Sequence, residues 1–93
     1  LIQADNNTVS QNSIQQNDRT LNPESVVRIA PGSYNKLVNN EIITYSGYRN
    51  PGIRLTGASL SNEVLNNRIK TDGTLVSNEA GSTNIIQGNV KIN

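Results

Sequence analysis

The chain has 93 residues, a formal net charge of +1 and a hydrophobic content of 33%, and it contains no Phe, Trp, Met, Cys or His. The small net charge gives no electrostatic reason for nucleic-acid binding, and no apolar run is long enough to span a membrane. Without Cys and His the chain lacks disulfides, thiolate metal sites and the commonest metal ligand and general base, so we expect no metal and no cofactor. We treat residues 1–93 as a single unit.

One eight-residue phrase recurs along the chain. It reads NTVSQNSI from Asn7, NKLVNNEI from Asn35, NEVLNNRI from Asn62 and, more weakly, NIIQGNVK from Asn84. Aligned on its second Asn, the phrase repeats after 28, 27 and 22 residues (40−12, 67−40 and 89−67). Periods of this size indicate a solenoid. Because no segment holds an i, i+3, i+4 apolar pattern, the repeating unit is predicted to be built from short strands.

Each period also contains a second apolar segment upstream of the phrase, which we call strand one. In chain order these segments are LIQ at Leu1–Gln3, VVRI at Val26–Ile29, GIRL at Gly52–Leu55 and TLVS at Thr74–Ser77. VVRI and GIRL alternate apolar and polar residues, as a half-buried strand does. We therefore expect their two arginines to point outward in consecutive coils.

Two apolar columns within the phrase are predicted to face the core. The first consists of Val9, Leu37, Val64 and Ile86, and the second of Ile14, Ile42 and Ile69. In the fourth coil Lys91 falls in the second column. This predicts either a bulge that brings Val90 or Ile92 inward, or a terminal coil.

The segment GIRLTGASLSNEVLNNRI reads as strand one, a turn, strand two, an Asn turn and strand three. This pattern, found over nearly the whole chain, resembles the right-handed parallel β-helix repeat of the pectate-lyase-like superfamily. The resemblance implies an all-β solenoid of about four coils with an asparagine ladder at the second turn, formed by Asn12, Asn40, Asn67 and Asn89. An Asn tolerates a tight turn, and its carboxamide can bond to the backbone and to the next carboxamide in the stack. Since sheet edges and solenoid ends normally need covering, we expect a segment of a longer β-helix, or a homo-oligomer.

The connections from strand three to the next strand one are unequal in length, and solenoid insertions tend to gather on the binding face. In the resembled family, glycan clefts commonly lie along strand one between these loops. The candidate ligand-binding residues on this face are Arg28, Arg54, Tyr45, Tyr48, Arg49 and Asp18. Arginine forms paired hydrogen bonds to the carboxylates of acidic sugars. Tyrosine rings stack on sugar faces.

Several roles remain open for these residues. The two arginines could form a solvated outward ladder, and the tyrosines could simply cover the base of their loop. Asp18 and Glu24 could act as an acid/base pair. They lie six residues apart on one loop, however, and this spacing does not determine the distance between their carboxyl groups. A Tyr base with an Arg that neutralises a sugar carboxylate would instead suit a lyase or an epimerase. The sequence does not decide whether the chain is an enzyme.

The resemblance implies a carbohydrate-facing module of an extracellular or virion protein that recognises or processes polysaccharide. Such a protein would be a polysaccharide lyase, hydrolase or epimerase, or a phage tail spike, and its partner would be a polysaccharide or a cell-surface glycan. An adhesin-like passenger segment is a further possibility. The alternative class is a purely structural stalk, or the terminal coils of a larger protein whose active site lies elsewhere.

Overall fold

The computed structural model describes residues 1–16 and 25–93, and all regular structure in these residues is β-strand. Each strand has only two or three residues. The strands are β1 (Thr8–Ser10), β2 (Ser13–Gln15), β3 (Val27–Ile29), β4 (Lys36–Val38), β5 (Glu41–Ile43), β6 (Ile53–Leu55), β7 (Glu63–Leu65), β8 (Arg68–Lys70), β9 (Val76–Asn78), β10 (Ile85–Gln87) and β11 (Val90–Lys91).

The strands form three parallel sheets, one on each face of a solenoid. Strand one of the repeat gives the sheet β3-β6-β9, strand two gives β1-β4-β7-β10, and strand three gives β11-β8-β5-β2. Ile2 joins the first sheet through a parallel bridge to Ile29. The chain therefore visits the three faces in turn and returns to the first face one coil further on. This is the four-coil parallel β-helix that the repeat predicts.

The two apolar columns are confirmed residue by residue. Leu37 pairs with Val9 on one side and with Val64 on the other, and Ile42 pairs in the same way with Ile14 and Ile69. The buried core lies in the second and third coils, where each apolar residue has a coil on both sides. Its members are Ile29, Leu37, Ile42, Ile53, Leu55, Val64 and Ile69.

The fourth coil is less regular than the sequence pattern predicts. Its strand one begins at Val76 instead of Thr74, so that Asn78 pairs with Leu55. Asn78 is exposed on this edge strand, and its Oδ1 accepts a hydrogen bond of 3.1 Å from Nδ2 of Asn84. Of the two explanations offered for Lys91, a bulge or a terminal coil, the bulge is absent, since Lys91 pairs with Ile69 in unbroken register. Lys91 lies on an edge strand and is exposed, so its ammonium group stays hydrated.

The predicted asparagine ladder is present at the second turn. Oδ1 of Asn67 accepts hydrogen bonds from the backbone N–H (2.9 Å) and from Nδ2 (3.1 Å) of Asn40. Nδ2 of Asn67 donates to Oδ1 of Asn89 (2.8 Å) and to the carbonyl of Leu37 (2.9 Å). Both lone pairs and both N–H groups of this fully buried carboxamide are therefore satisfied.

A second ladder, which the sequence reasoning missed, runs along the first turn. It is formed by the first Asn of each phrase, namely Asn7, Asn35, Asn62 and Asn84. Nδ2 of Asn62, for example, donates to Oδ1 of Asn84 (3.0 Å) and to the carbonyl of Gly32 (2.9 Å). The solenoid is thus held at two of its corners by stacked carboxamides.

The residue before a ladder Asn commonly has a positive φ, which bends the chain sharply at that corner. At the second turn these residues are Gln11, Asn39, Asn66 and Gly88, with φ of 56°, 58°, 57° and 69°; at the first turn they are Asn6, Tyr34 and Ser61, with φ of 62°, 58° and 57°. Asn and Gly are the residues that adopt this left-handed conformation most readily. The recurrent Asn-Asn pairs of the phrase therefore combine a left-handed residue with a ladder residue.

Candidate functional site

The strand-one sheet carries the two arginines predicted to face outward. Arg28 on β3 and Arg54 on β6 pair directly, and Ser77 on β9 follows them in the same row. Both arginine side chains are half-buried. Two like charges directly opposite each other on neighbouring strands are destabilising, so the row needs negative charge from the protein or from a ligand.

Part of that negative charge comes from the following coil. Oε2 of Glu79 lies 3.1 Å from Nε of Arg54. Asp18 and Glu24, the acids of the preceding loop, lie outside the described residues. A long arginine side chain can reach toward either neighbouring coil, which is why strand register alone did not identify Glu79.

The loop between β5 and β6 brings an aromatic pair beside this row. The rings of Tyr45 and Tyr48 meet edge to face, with centroids 5.4 Å apart and an interplanar angle of 86°. Burial raises the pKa of the Tyr48 phenol, the neighbouring Tyr45 raises it further, and Arg54 acts in the opposite direction. A phenol with a raised pKa stays protonated at neutral pH. Tyr48 is therefore suited to donate a hydrogen bond and poorly suited to act as a base.

The turn after β8 fixes this tyrosine loop in place. Oδ2 of Asp72 accepts a 2.7 Å hydrogen bond from the N–H of Gly47, and the N–H of Asp72 donates to the carbonyl of Tyr48 at 2.8 Å. The hydroxyl of Thr71 lies 2.8 Å from the carbonyl of Asn50. At Gly73 an added Cβ would lie 2.0 Å from the carbonyl oxygen of Arg49, so only Gly allows the two turns to pack this closely. The Asp72-Gly73 turn thus holds the tyrosine pair on a rigid support.

The structure therefore places four of the six candidate residues in one neighbourhood. We call the surface formed by Arg28, Arg54 and Tyr45 the strand-one face, which the buried Tyr48 supports through its contact with Tyr45. Arg49 follows Tyr48 in the same loop and is exposed, while Asp18 lies outside the described residues. Within residues 1–16 and 25–93, no group of three or more carboxylates is placed to hold a metal ion. The same residues contain no apolar helix long enough to cross a membrane.

A concave surface runs along the second turn. It is an open groove of about 470 Å³ lined by the left-handed residues Gln11, Asn39 and Asn66 and by the ion pair of Glu41 and Arg68. The Glu41 and Arg68 side chains are 3.2 Å apart and bridge two coils. Because its polar residues are explained by turn conformation and by this ion pair, the groove needs no ligand to account for its composition.

The sequence reasoning also missed an exposed aromatic residue at the first turn. Tyr34 is 63% exposed, and it occupies the left-handed position that Asn6 and Ser61 occupy in neighbouring coils. Leu60, 43% exposed, adjoins it in the next coil, where its carbonyl accepts a 3.2 Å hydrogen bond from the N–H of Tyr34. The available signal was a bulky residue directly before a ladder Asn.

Comparison with protein-family models, curated proteins and solved structures finds no match for this chain. The parallel β-helix is therefore shown by the structure of this chain itself.

Proposed function

We propose that this chain is a polysaccharide-binding module of the pectate-lyase-like kind, from an extracellular or virion protein, and that its strand-one face binds acidic glycans. The observation that carries the proposal is the direct pairing of Arg28 with Arg54 beside the edge-to-face pair of Tyr45 and Tyr48. Guanidinium groups recognise sugar carboxylates, and the half-buried Tyr45 supplies a partly accessible ring. Tyr48 is only 2% exposed, so it supports Tyr45 from below and does not present a ring face of its own. The face thus offers both kinds of contact that a uronic-acid or sialic-acid polymer needs.

The arginine spacing also suits a polyanion. Residues paired on neighbouring parallel strands lie about 4.8 Å apart, so each guanidinium can meet a different carboxylate of an extended polymer. Glu79 already contacts Arg54, but the Glu79 side chain is 53% exposed. Such a partly exposed ion pair contributes little free energy, so an incoming polymer carboxylate can replace Glu79 at small cost.

Binding fits the geometry better than turnover does. The raised pKa of Tyr48 makes this phenol a poor base, and the one carboxylate described beside the arginine row, Glu79, contacts Arg54. A glycosidase would need two carboxyl groups at a set separation across the scissile bond. We therefore propose recognition of the polysaccharide and assign no catalytic residue.

Titration calorimetry with polyuronate, polysialate and a neutral dextran tests the proposal. The double variant Arg28→Ala with Arg54→Ala is expected to bind the acidic polymers on the order of tenfold more weakly, because two charge-assisted contacts are lost. Its melting temperature should stay unchanged or rise, since a like-charged pair is removed. Dextran should show no dependence on the two arginines.

The matched control is Lys36→Ala with Arg68→Ala, which removes the same amount of charge from the other two sheets. If this control weakens binding as much as the double arginine variant does, attraction depends on net charge alone and the strand-one face is not the site. If the parent chain binds none of the acidic polymers, the proposal is contradicted and a purely structural stalk is favoured.

A structural stalk is the second candidate, and the ion pairs between coils favour it. Each sheet carries one described pair: Lys36 with Glu63 at 3.6 Å, Glu41 with Arg68 at 3.2 Å, and Arg54 with Glu79 at 3.1 Å. If Glu79 serves only stability, Glu79→Ala should lower the melting temperature and leave glycan binding unaffected. If Arg54 serves a ligand, the same change should strengthen binding of acidic polymers.

A further inference from the structure

Tyr34 combines an unfavourable backbone conformation with high exposure. Its φ of 58° lies in the left-handed region, which costs free energy for a bulky residue and is adopted most easily by Gly and Asn. The aligned residues of other coils, Asn6 and Ser61, are small and polar. Tyr34 also recovers little by burial, because 63% of it is exposed. A contribution to stability therefore does not explain a tyrosine at this position. Residues with an unfavourable backbone conformation are enriched at functional sites.

The corner that carries Tyr34 is held rigidly by bonds between coils. The N–H of Ser33 donates to Oδ1 of Asp5 at 2.8 Å, and the hydroxyl oxygen of Ser33 accepts from the N–H of Leu60 at 3.3 Å. The next residue in the chain, Asn35, belongs to the first-turn ladder and is fully buried. The tyrosine ring is thus presented from a fixed backbone, as a binding residue should be.

The chemistry around the ring is mixed. Leu60 extends the apolar surface beside Tyr34, while the hydroxyls of Ser33 and Thr83 lie on the same corner. Each of these hydroxyl oxygens accepts a backbone N–H in the structure, which leaves the hydroxyl hydrogen able to donate to a ligand. An apolar ring face bordered by hydroxyl donors matches a pyranose ring, which has C–H faces and a rim of hydroxyl groups.

The corner follows the strand-one sheet in the chain, because the first turn begins where β3 and β6 end. A polymer that contacts both Arg28 and Arg54 runs from one coil to the next, since these residues pair between coils. Tyr34 and Leu60 likewise lie in consecutive coils, joined by a backbone hydrogen bond. The exposed pair at the first turn therefore runs in the same direction as the arginine row.

We propose that Tyr34 and Leu60 form a stacking platform for a sugar ring of the same polysaccharide, an inference that rests on the proposed function. Stacking does not depend on charge, whereas the arginine contacts are screened by salt. The platform therefore supplies the part of the affinity that persists at high ionic strength.

The test uses the 93-residue chain, polyuronate as the probe, and calorimetry at low salt and at high salt. Tyr34→Asn is expected to raise the melting temperature by a few degrees, because Asn accepts the left-handed conformation. The same variant should bind roughly 2- to 10-fold more weakly, by a similar factor at low and at high salt, whereas the loss caused by the double arginine variant should shrink at high salt. Tyr34→Phe keeps the ring and should bind within about twofold of the parent.

The matched control is Ser61→Asn, which makes the same kind of change one coil away and should leave polyuronate binding unaltered. If Tyr34→Asn binds polyuronate as tightly as the parent does while the double arginine variant binds weakly, the stacking platform is contradicted and the proposed function still holds. If Tyr34→Asn lowers the melting temperature, Tyr34 has a packing role and the inference is overturned on that ground. If the parent binds no acidic polymer, both proposals fall.

Discussion

At the scale of single residues, the polar part of the core consists of asparagines that bond to one another. Asn35, Asn40, Asn62 and Asn67 are buried, and a buried carboxamide is costly unless its donors and acceptors all find partners. Stacking identical residues solves this problem, because each Oδ1 accepts the backbone N–H of the ladder Asn in the preceding coil and each Nδ2 donates to a backbone carbonyl. The same contact therefore recurs from coil to coil without any new chemistry.

We predict that Asn67→Ala lowers the free energy of unfolding by about 1–3 kcal/mol, because the backbone and carboxamide partners of Asn67 are left unsatisfied. In a protein of this size the melting temperature should fall by several degrees. Asn12→Ala, at the exposed end of the same ladder, is the control and should cost less than about 1 kcal/mol. Equal effects from the two variants would contradict a ladder that is strongest where it is buried.

At the scale of the strand, three residues are enough to form a stable element, because each strand pairs with strands of adjacent coils and adds its apolar residue to a column. The middle residue of β4, Leu37, is 1% exposed and lies between Val9 and Val64. Its neighbour Lys36 points outward on the same strand and reaches Glu63. Adjacent residues of this strand thus point in opposite directions, one toward the core and the other toward solvent.

Leu37→Asp is predicted to prevent folding, because an ionised carboxylate would enter a narrow apolar core with no cation to pair with it. Circular dichroism should show loss of the β signal. Lys36→Ser, one residue away, removes only an exposed ion pair and should change stability by no more than about 1 kcal/mol. A folded, soluble Leu37→Asp protein would show that the column does not face the core.

At the scale of the whole molecule, stability is concentrated in the two middle coils. The core cluster lies there, whereas Val9 and Ile14 in the first coil and Val76 and Ile86 in the fourth are only partly buried. In a repeat protein, each unit is stabilised chiefly by its immediate neighbours. The outer coils of this 93-residue chain therefore have fewer favourable contacts than the inner ones.

Amide hydrogen exchange should reveal this gradient. The ladder N–H groups of Asn35 and Asn40 are expected to exchange most slowly, and those of Asn7 and Asn12 considerably faster. Uniform protection along the ladders would mean that the four coils open as a single cooperative unit.

The fold was predictable because its determinants repeat. The second Asn of each phrase and the two apolar columns recur at matching positions, so one register explains the pairing of Leu37 with Val64 and of Ile42 with Ile69. The first-turn ladder was equally regular in sequence. It was missed because an Asn at the start of a strand also reads as an ordinary turn residue.

The candidate site was predictable only in part. Strand alternation placed Arg28 opposite Arg54, because that placement depends on the backbone. The partner of Arg54 depends on where a long flexible side chain goes, and register does not determine this. Likewise, the exposure of Tyr34 follows from a turn conformation that only the three-dimensional structure shows.

The repeat length also governs how this chain can fold. Residues paired along the ladders are 22 to 28 positions apart in sequence, so the strands within residues 1–16 and 25–93 pair only with partners that are distant in the chain. A large loop must close before the first stabilising contact forms, and proteins built from such non-local contacts fold slowly. Once two adjacent coils have closed on each other, however, they offer a finished edge on which the next coil can assemble. We therefore predict that folding of this chain begins with a slow nucleation between the second and third coils, followed by rapid growth toward both ends.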